Sequence, residues 1–151
     1  MLRNRLNVAM KESMKVGDKE RLSTIRLILA NLKQKDIDAR PSGNLEGISE
    51  SQILQLLQTM IKQRKDSIDM FAKGNRFDLI EKEKAEIIVI ESFLPQQMDD
   101  AAITIAIQEA IQAMGATSPQ DMGKVMTYLK DHHTGQMDFS KASLLVKQKL
   151  V

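Results

Sequence analysis

Apolar residues recur along nearly the whole chain at spacings of three and four, the repeat of a single helix face. Leu2, Leu6, Ala9, Met10 and Met14 mark a first helix, about Leu2 to Lys15. Gly17 ends it and Asp18 is placed to cap the next. The second helix runs from about Lys19 to Asp38, with Leu22, Ile25, Ile28, Leu29 and Leu32 as its stripe. Pro41, Ser42, Gly43, Asn44 and Gly47 make Ala39 to Gly47 the clearest loop, expected to be mobile. Ser49 and Gln52 have the spacing of a capping box, opening a helix to about Lys73. Its inward residues are Ile53, Leu57, Met60, Ile61, Ile68 and Phe71. Gly74 terminates it, and Asn75 opens a fourth helix to about Phe93. That helix directs Phe77, Ile80, Ile87, Ile88 and Leu94 inward, and Pro95 closes it.

Beyond this point, Asp99 and Asp100 cap a fifth helix carrying Ile103, Ala106, Ile107, Ala110, Ile111 and Met114, ended by Gly115. Ser118, Pro119 and Asp121 then read as N-cap, first helical residue and third helical residue. The sixth helix carries Met122, Val125, Met126 and Leu129; after Asp138 a last helix presents Leu144, Leu145 and Leu150. The pattern predicts an all-α protein of about seven helices. A long-helix N-terminal domain covers residues 1–96, a compact three-helix C-terminal domain covers 97–151, and the boundary lies in the turn from Leu94 to Met98.

Composition sharpens this picture. Apolar residues are 42% of the 151 residues but aromatics only 3%, so the core must be built from Leu, Ile, Met, Val and Ala. No run of about 18 apolar residues is present to span a bilayer. Met1 to Lys15 carries charges every few residues, unlike a secretory signal. Cysteine is absent, which excludes disulfides and thiolate chemistry, while the ten methionines favour a reducing compartment. Cytoplasmic localisation is the expectation. Net charge is +2, too small for a strong non-specific nucleic-acid binder. The basic excess sits at the start: residues 1–40 hold 10 Lys and Arg against 5 Asp and Glu.

Several chemistries lack their motifs: there is no phosphate-binding glycine loop, no dinucleotide fingerprint and no nucleophile elbow. The two histidines, His132 and His133, are adjacent and so project about 100° apart on a helix, whereas a two-histidine metal face needs spacings of three or four. A solvated helix end, favoured by the macrodipole, is the stronger reading, and a weak divalent site with Asp131 is its alternative. Lys62, Arg64 and Lys65 form a basic cluster. Arg64 falls on the apolar face of its helix, where it suits either a phosphate contact or an ion pair, within its own helix or with another such as the fourth. Gly123 lies inside a helix beside Lys124, at a cost of about 1 kcal/mol relative to alanine. Close helix packing or close approach of a sugar-phosphate backbone would account for it.

Taken together, Arg21-Leu22 through Arg26, Lys62 to Ser67, Asn75-Arg76 with Asp78-Leu79, Glu91 with Phe93 to Gln97, and Asp121 to Met126 occur in an order that resembles the GatB/YqeY family, most closely its free-standing members. The resemblance spans nearly the whole chain. Thr127 stands where the family pattern often has a further glycine, and His132, His133 and Thr134 stand before the last helix, where Lys and Gly are usual. It implies an all-helical protein related to an appendage of the B subunit of glutamine-dependent tRNA amidotransferase, which contacts the outer body of tRNA. The kinase and glutaminase sites of that enzyme lie elsewhere. A label of carbon–nitrogen ligase with glutamine as amido-N-donor would then be inherited from fused relatives. No catalytic residue, cofactor or metal is expected, and the implied partners are tRNA and an aminoacyl-tRNA or amidotransferase complex, with no membrane. The expected RNA-binding residues are Lys124, Lys130, Gly123, Lys62, Arg64, Lys65 and Arg76. The competing reading is a helical protein–protein interaction module with no RNA role.

Overall fold

The computed structural model describes residues 1–151, with seven α-helices and no strand. The helices are α1 (Leu2–Val16), α2 (Lys19–Ala39), α3 (Glu50–Lys73), α4 (Phe77–Glu91), α5 (Asp100–Met114), α6 (Met122–His132) and α7 (Phe139–Lys149). Short 3-10 turns at Arg40–Ser42 and Pro119–Asp121 follow α2 and precede α6. No helix is long and apolar enough to cross a membrane. Two compact units result, Met1–Leu94 and Pro95–Val151, each with its own core.

In the first unit, Leu6 of α1, Ile25 and Ile28 of α2, Ile53, Leu57 and Met60 of α3, and Ile90 of α4 are fully buried. Gly17 ends α1 in the left-handed conformation at φ 72°, and the Asp18 N–H closes the cap on the Ser13 carbonyl. Asp18 then caps α2 through the Arg21 N–H, so two residues reverse the chain. The α3–α4 turn differs from its expected form. Gly74 keeps φ −92° and Asn75 takes the left-handed position at φ 56°, a conformation asparagine tolerates. The N–H groups of Asn75 and Arg76 bond the carbonyls of Ala72 and Phe71, and α4 starts at Phe77 rather than Asn75.

The segment after α2, expected to be mobile, is anchored at its far end. Asp36 Oδ1 accepts from the Ile48 N–H at 2.8 Å, and both Asp36 oxygens accept from Arg3 at 2.7 Å. Arg3 Nη2 also donates to the Ile48 carbonyl at 3.0 Å. Gly47 turns at φ 99° against this cluster, and Ile48 packs on the core. The Arg3 guanidinium is the main cause holding the Asp36 carboxyl below its usual range, with help from the Ile48 N–H.

In the second unit, Ile107, Val125, Leu129, Met137 and Val146 are fully buried. Asp99 caps α5, Asp138 caps α7, and Ser118 and Asp121 form a capping box ahead of α6. Gln97 Nε2 and the Met98 N–H bond the Gly135 and Gln136 carbonyls, tying the start of the unit to its last loop.

Five residues expected inward face solvent. Phe77 is 63% exposed and Ile88 68% exposed, because the buried line of α4 runs Ile80, Ile87, Ile90, and Ile88 lies one residue, about 100°, off it. Met14 is likewise one step from the buried Ser13, and Leu144 stands between the buried Ala142 and Val146. Met114, the last residue of α5, is exposed at the helix end.

Candidate nucleic-acid interface

The second unit brings three expected residues onto one helix. The Val125–Leu129 line of α6 is fully buried, so its opposite side, with Gly123, Thr127 and Lys130 at spacings of four and three and Lys124 beside them, faces solvent. Neither lysine has a carboxylate in ion-pair range. Asp131 shares the exposed surface and tempers its charge. Before the helix, the Asp121 carboxylate accepts from the N–H groups of Thr117 at 3.0 Å and Ser118 at 3.3 Å. The Thr117 hydrogen bond leads the causes that hold the Asp121 carboxyl below its usual range, with Lys124 a lesser one.

Gly123 carries the sharpest information. A Cβ built there would meet nothing within 4 Å. Its backbone is not in the left-handed region either. Close helix packing within the unit is therefore excluded as the reason for this glycine, and so is conformational need.

In the first unit, Lys62 and Lys65 lie on the solvent face of α3 without ion-pair partners. Arg64 is spent in the fold. Its side chain is only 14% exposed, its Nε pairs with Glu86 at 2.8 Å and reaches Glu83 at 4.0 Å, and Nη1 donates to the Met60 carbonyl at 3.1 Å. Of the two roles open to it in the sequence, the structure shows the ion pair with α4. Arg76 is exposed, but its guanidinium meets Asp78 at 3.3 Å, and that hydrogen bond leads the causes holding the Asp78 carboxyl low.

The histidines do not converge. The His132 ring stacks on Tyr128 at 3.9 Å with Nδ1 at the Tyr128 carbonyl, while His133 Nδ1 meets Gln136 Oε1 at 3.2 Å. No grouping of three His, Asp or Glu side chains could hold a metal ion. An open surface depression on α2 is lined by Lys19, Leu22, Ser23, Arg26 and Leu27. Sequence reading also missed Arg5 and Arg21, which stand over the Phe93 ring at 5.8 and 5.6 Å from its centroid. Both the Arg21 and the Phe93 segments belonged to the family-like pattern, yet no periodicity shows that α1, α2 and the end of α4 meet there.

Residues 3–150 match the family described as Yqey-like protein. The chain belongs to the YqeY-like family. Among similar proteins, the YqeY-like chain is 30% identical to the altered inheritance of mitochondria protein 41 of Lachancea thermotolerans over 144 residues. That alignment covers 94% of this chain and 75% of the relative. A protein of the same name from Kluyveromyces lactis is 34% identical over 104 residues, 69% of this chain and 51% of the relative. The counterpart from Eremothecium gossypii is 31% identical over a region covering 69% of this chain and 51% of the relative, so the YqeY-like chain spans about half the length of both. These relatives are named as mitochondrial proteins, which overturns the expectation of a cytoplasmic location. That expectation rested on missing cysteine, the ten methionines and a charged N-terminus, and such a composition reports which side chains a fold uses, not its compartment.

Proposed function

We propose that this YqeY-like protein is a non-catalytic accessory protein that binds tRNA by shape and phosphate contacts. The solvent face of α6 carries the reading. There a glycine with no packing or conformational purpose sits beside two unpaired lysines, Lys124 and Lys130. Bare backbone next to ammonium groups suits a sugar-phosphate chain, whose contacts position a protein without reading bases. Lys62 and Lys65 add solvent-facing charge on α3. Near-neutral overall charge implies modest affinity with a clear salt dependence. An amidotransferase label, carbon–nitrogen ligase with glutamine as amido-N-donor, then describes fused relatives that carry the catalytic domains, and the partner is tRNA or the complex that handles it.

A second reading, a protein-interaction module, has one observation in its favour. Phe77 and Ile88 are eleven residues apart and so share the exposed side of α4. The Glu81–Lys84 pair stands between them in the chain and breaks the apolar surface.

The test is binding of the purified protein to bulk tRNA across salt concentrations. Loss of one phosphate contact in Lys124→Ala or Lys130→Ala lowers the slope of log K against log salt by about 0.9 each. Absence of binding at low salt would remove tRNA as a ligand and leave the α4 surface as the lead.

A further inference from the structure

Two cations are brought to one buried ring with no counter-ion. Phe93 follows α4 and is buried, and the guanidinium carbons of Arg5 from α1 and Arg21 from α2 both stand within 6 Å of its centroid. They are therefore no farther from each other than the sum of two such short distances. Three other arginines of this unit each meet a carboxylate: Arg3 with Asp36, Arg64 with Glu86, Arg76 with Asp78. Arg5 and Arg21 meet none. Asp18 is near Arg21 in the chain, but its Oδ1 accepts from the Arg21 backbone N–H at 3.1 Å.

Their hydrogen-bonding capacity is mostly unspent. Each guanidinium has five N–H donors in a planar fork. Arg5 donates once, to the Ser92 carbonyl at 3.3 Å, and the Arg21 guanidinium makes no side-chain hydrogen bond. The ring attracts each cation through its quadrupole but offers no acceptor in the guanidinium plane. The two guanidiniums carry like charge, and a phosphate chain with one phosphate accepting from each fork would neutralise it. Resting on the ring, the forks surrender less rotamer freedom on binding than free arginines would.

We propose that Arg5 and Arg21, held over Phe93, form a phosphate clamp on the first unit that grips the backbone of the bound RNA. The choice of RNA as the source of the phosphate rests on the tRNA reading; the clamp itself is defined by phosphate chemistry. It supplies contacts beyond the seven residues expected from the sequence.

The experiment follows the Arg5 and Arg21 Nε–H resonances of the full chain, titrated separately with inorganic tripolyphosphate and with bulk tRNA. Arg5→Gln and Arg21→Gln are used for assignment and for salt-dependent tRNA binding. The clamp requires both resonances to shift with tripolyphosphate, and RNA as its occupant requires the salt slope for tRNA to fall by about 0.9 in each variant. Shifts with tripolyphosphate in a protein that does not bind tRNA uphold the clamp and remove RNA as its occupant. Binding of tRNA with both resonances unmoved by either ligand overturns the clamp and leaves the tRNA reading standing. Resonances unmoved by either ligand in a protein that also fails to bind tRNA overturn both. Because the unsubstituted protein supplies the deciding signal, a variant that folds poorly does not obscure the result.

Discussion

Replacing Gly123 by alanine should move stability and binding in opposite directions. The added methyl meets nothing within 4 Å, and the backbone there needs no left-handed conformation, so no strain opposes the change. Alanine is favoured over glycine by about 1 kcal/mol in a helix interior; Gly123 lies in the first turn of α6, which reduces the gain to about 0.5 kcal/mol. For a cooperative unit of this size that raises Tm by about 2–4 °C. If a sugar-phosphate chain rests on the bare backbone, the same methyl pushes it out of hydrogen-bond range. Loss of one charge-assisted hydrogen bond, about 1.5 kcal/mol, weakens tRNA binding roughly tenfold. Calorimetric melting and a tRNA titration at one low salt concentration read both quantities from one preparation. A drop in Tm would refute the reasoning that the glycine has no structural role. A rise in Tm with unchanged affinity would refute close approach as its purpose.

Other perturbations probe the first unit. Arg64→Ala leaves Glu86 and Glu83 without their cation in a largely buried setting, and should cost about 2–3 kcal/mol in urea unfolding, below the figure for a fully buried pair. If the loss is instead in tRNA affinity with stability intact, the ion-pair assignment fails. Gly47→Ala places a Cβ 2.6 Å from Arg3 Nη2 and 2.8 Å from Asp36 Oδ1 at φ 99°, so stability should drop by about 2 kcal/mol or more, seen as a lower urea midpoint. Asp36 has a lowered carboxyl pKa in the fold, caused first by the Arg3 hydrogen bond. A depressed folded pKa gives stability that is complete above the unfolded value of about 3.9 and lost as pH falls through the folded value. Urea midpoints measured from pH 5 downward should therefore decline less in Asp36→Asn than in the parent, and equal slopes would exclude Asp36 from acid destabilisation.

The sequence by itself determined seven helices and most of their ends, because those depend on neighbours in the chain. Asp18, Ser49, Asp99 and Asp138 cap their own helices, and Gly17 and Gly115 stop theirs at left-handed φ. A glycine–asparagine pair was already less legible, since either residue can take the left-handed position, and Asn75 takes it. Periodicity placed Leu6, Ile25, Leu57, Ile107 and Leu129 in cores but could not set the rotation of α4 to within one residue, which is what separates the buried Ile87 from the exposed Ile88. Which cations are free was decided by tertiary structure alone. Arg64 and Lys65 are adjacent in the chain, yet one is neutralised by α4 and the other faces water. Arg5, Arg21 and Phe93 come from α1, α2 and the end of α4 and meet at one ring. Helix ends and stripes follow from interactions within a few residues. Charge pairing and approach surfaces follow from packing between helices, which no local pattern encodes.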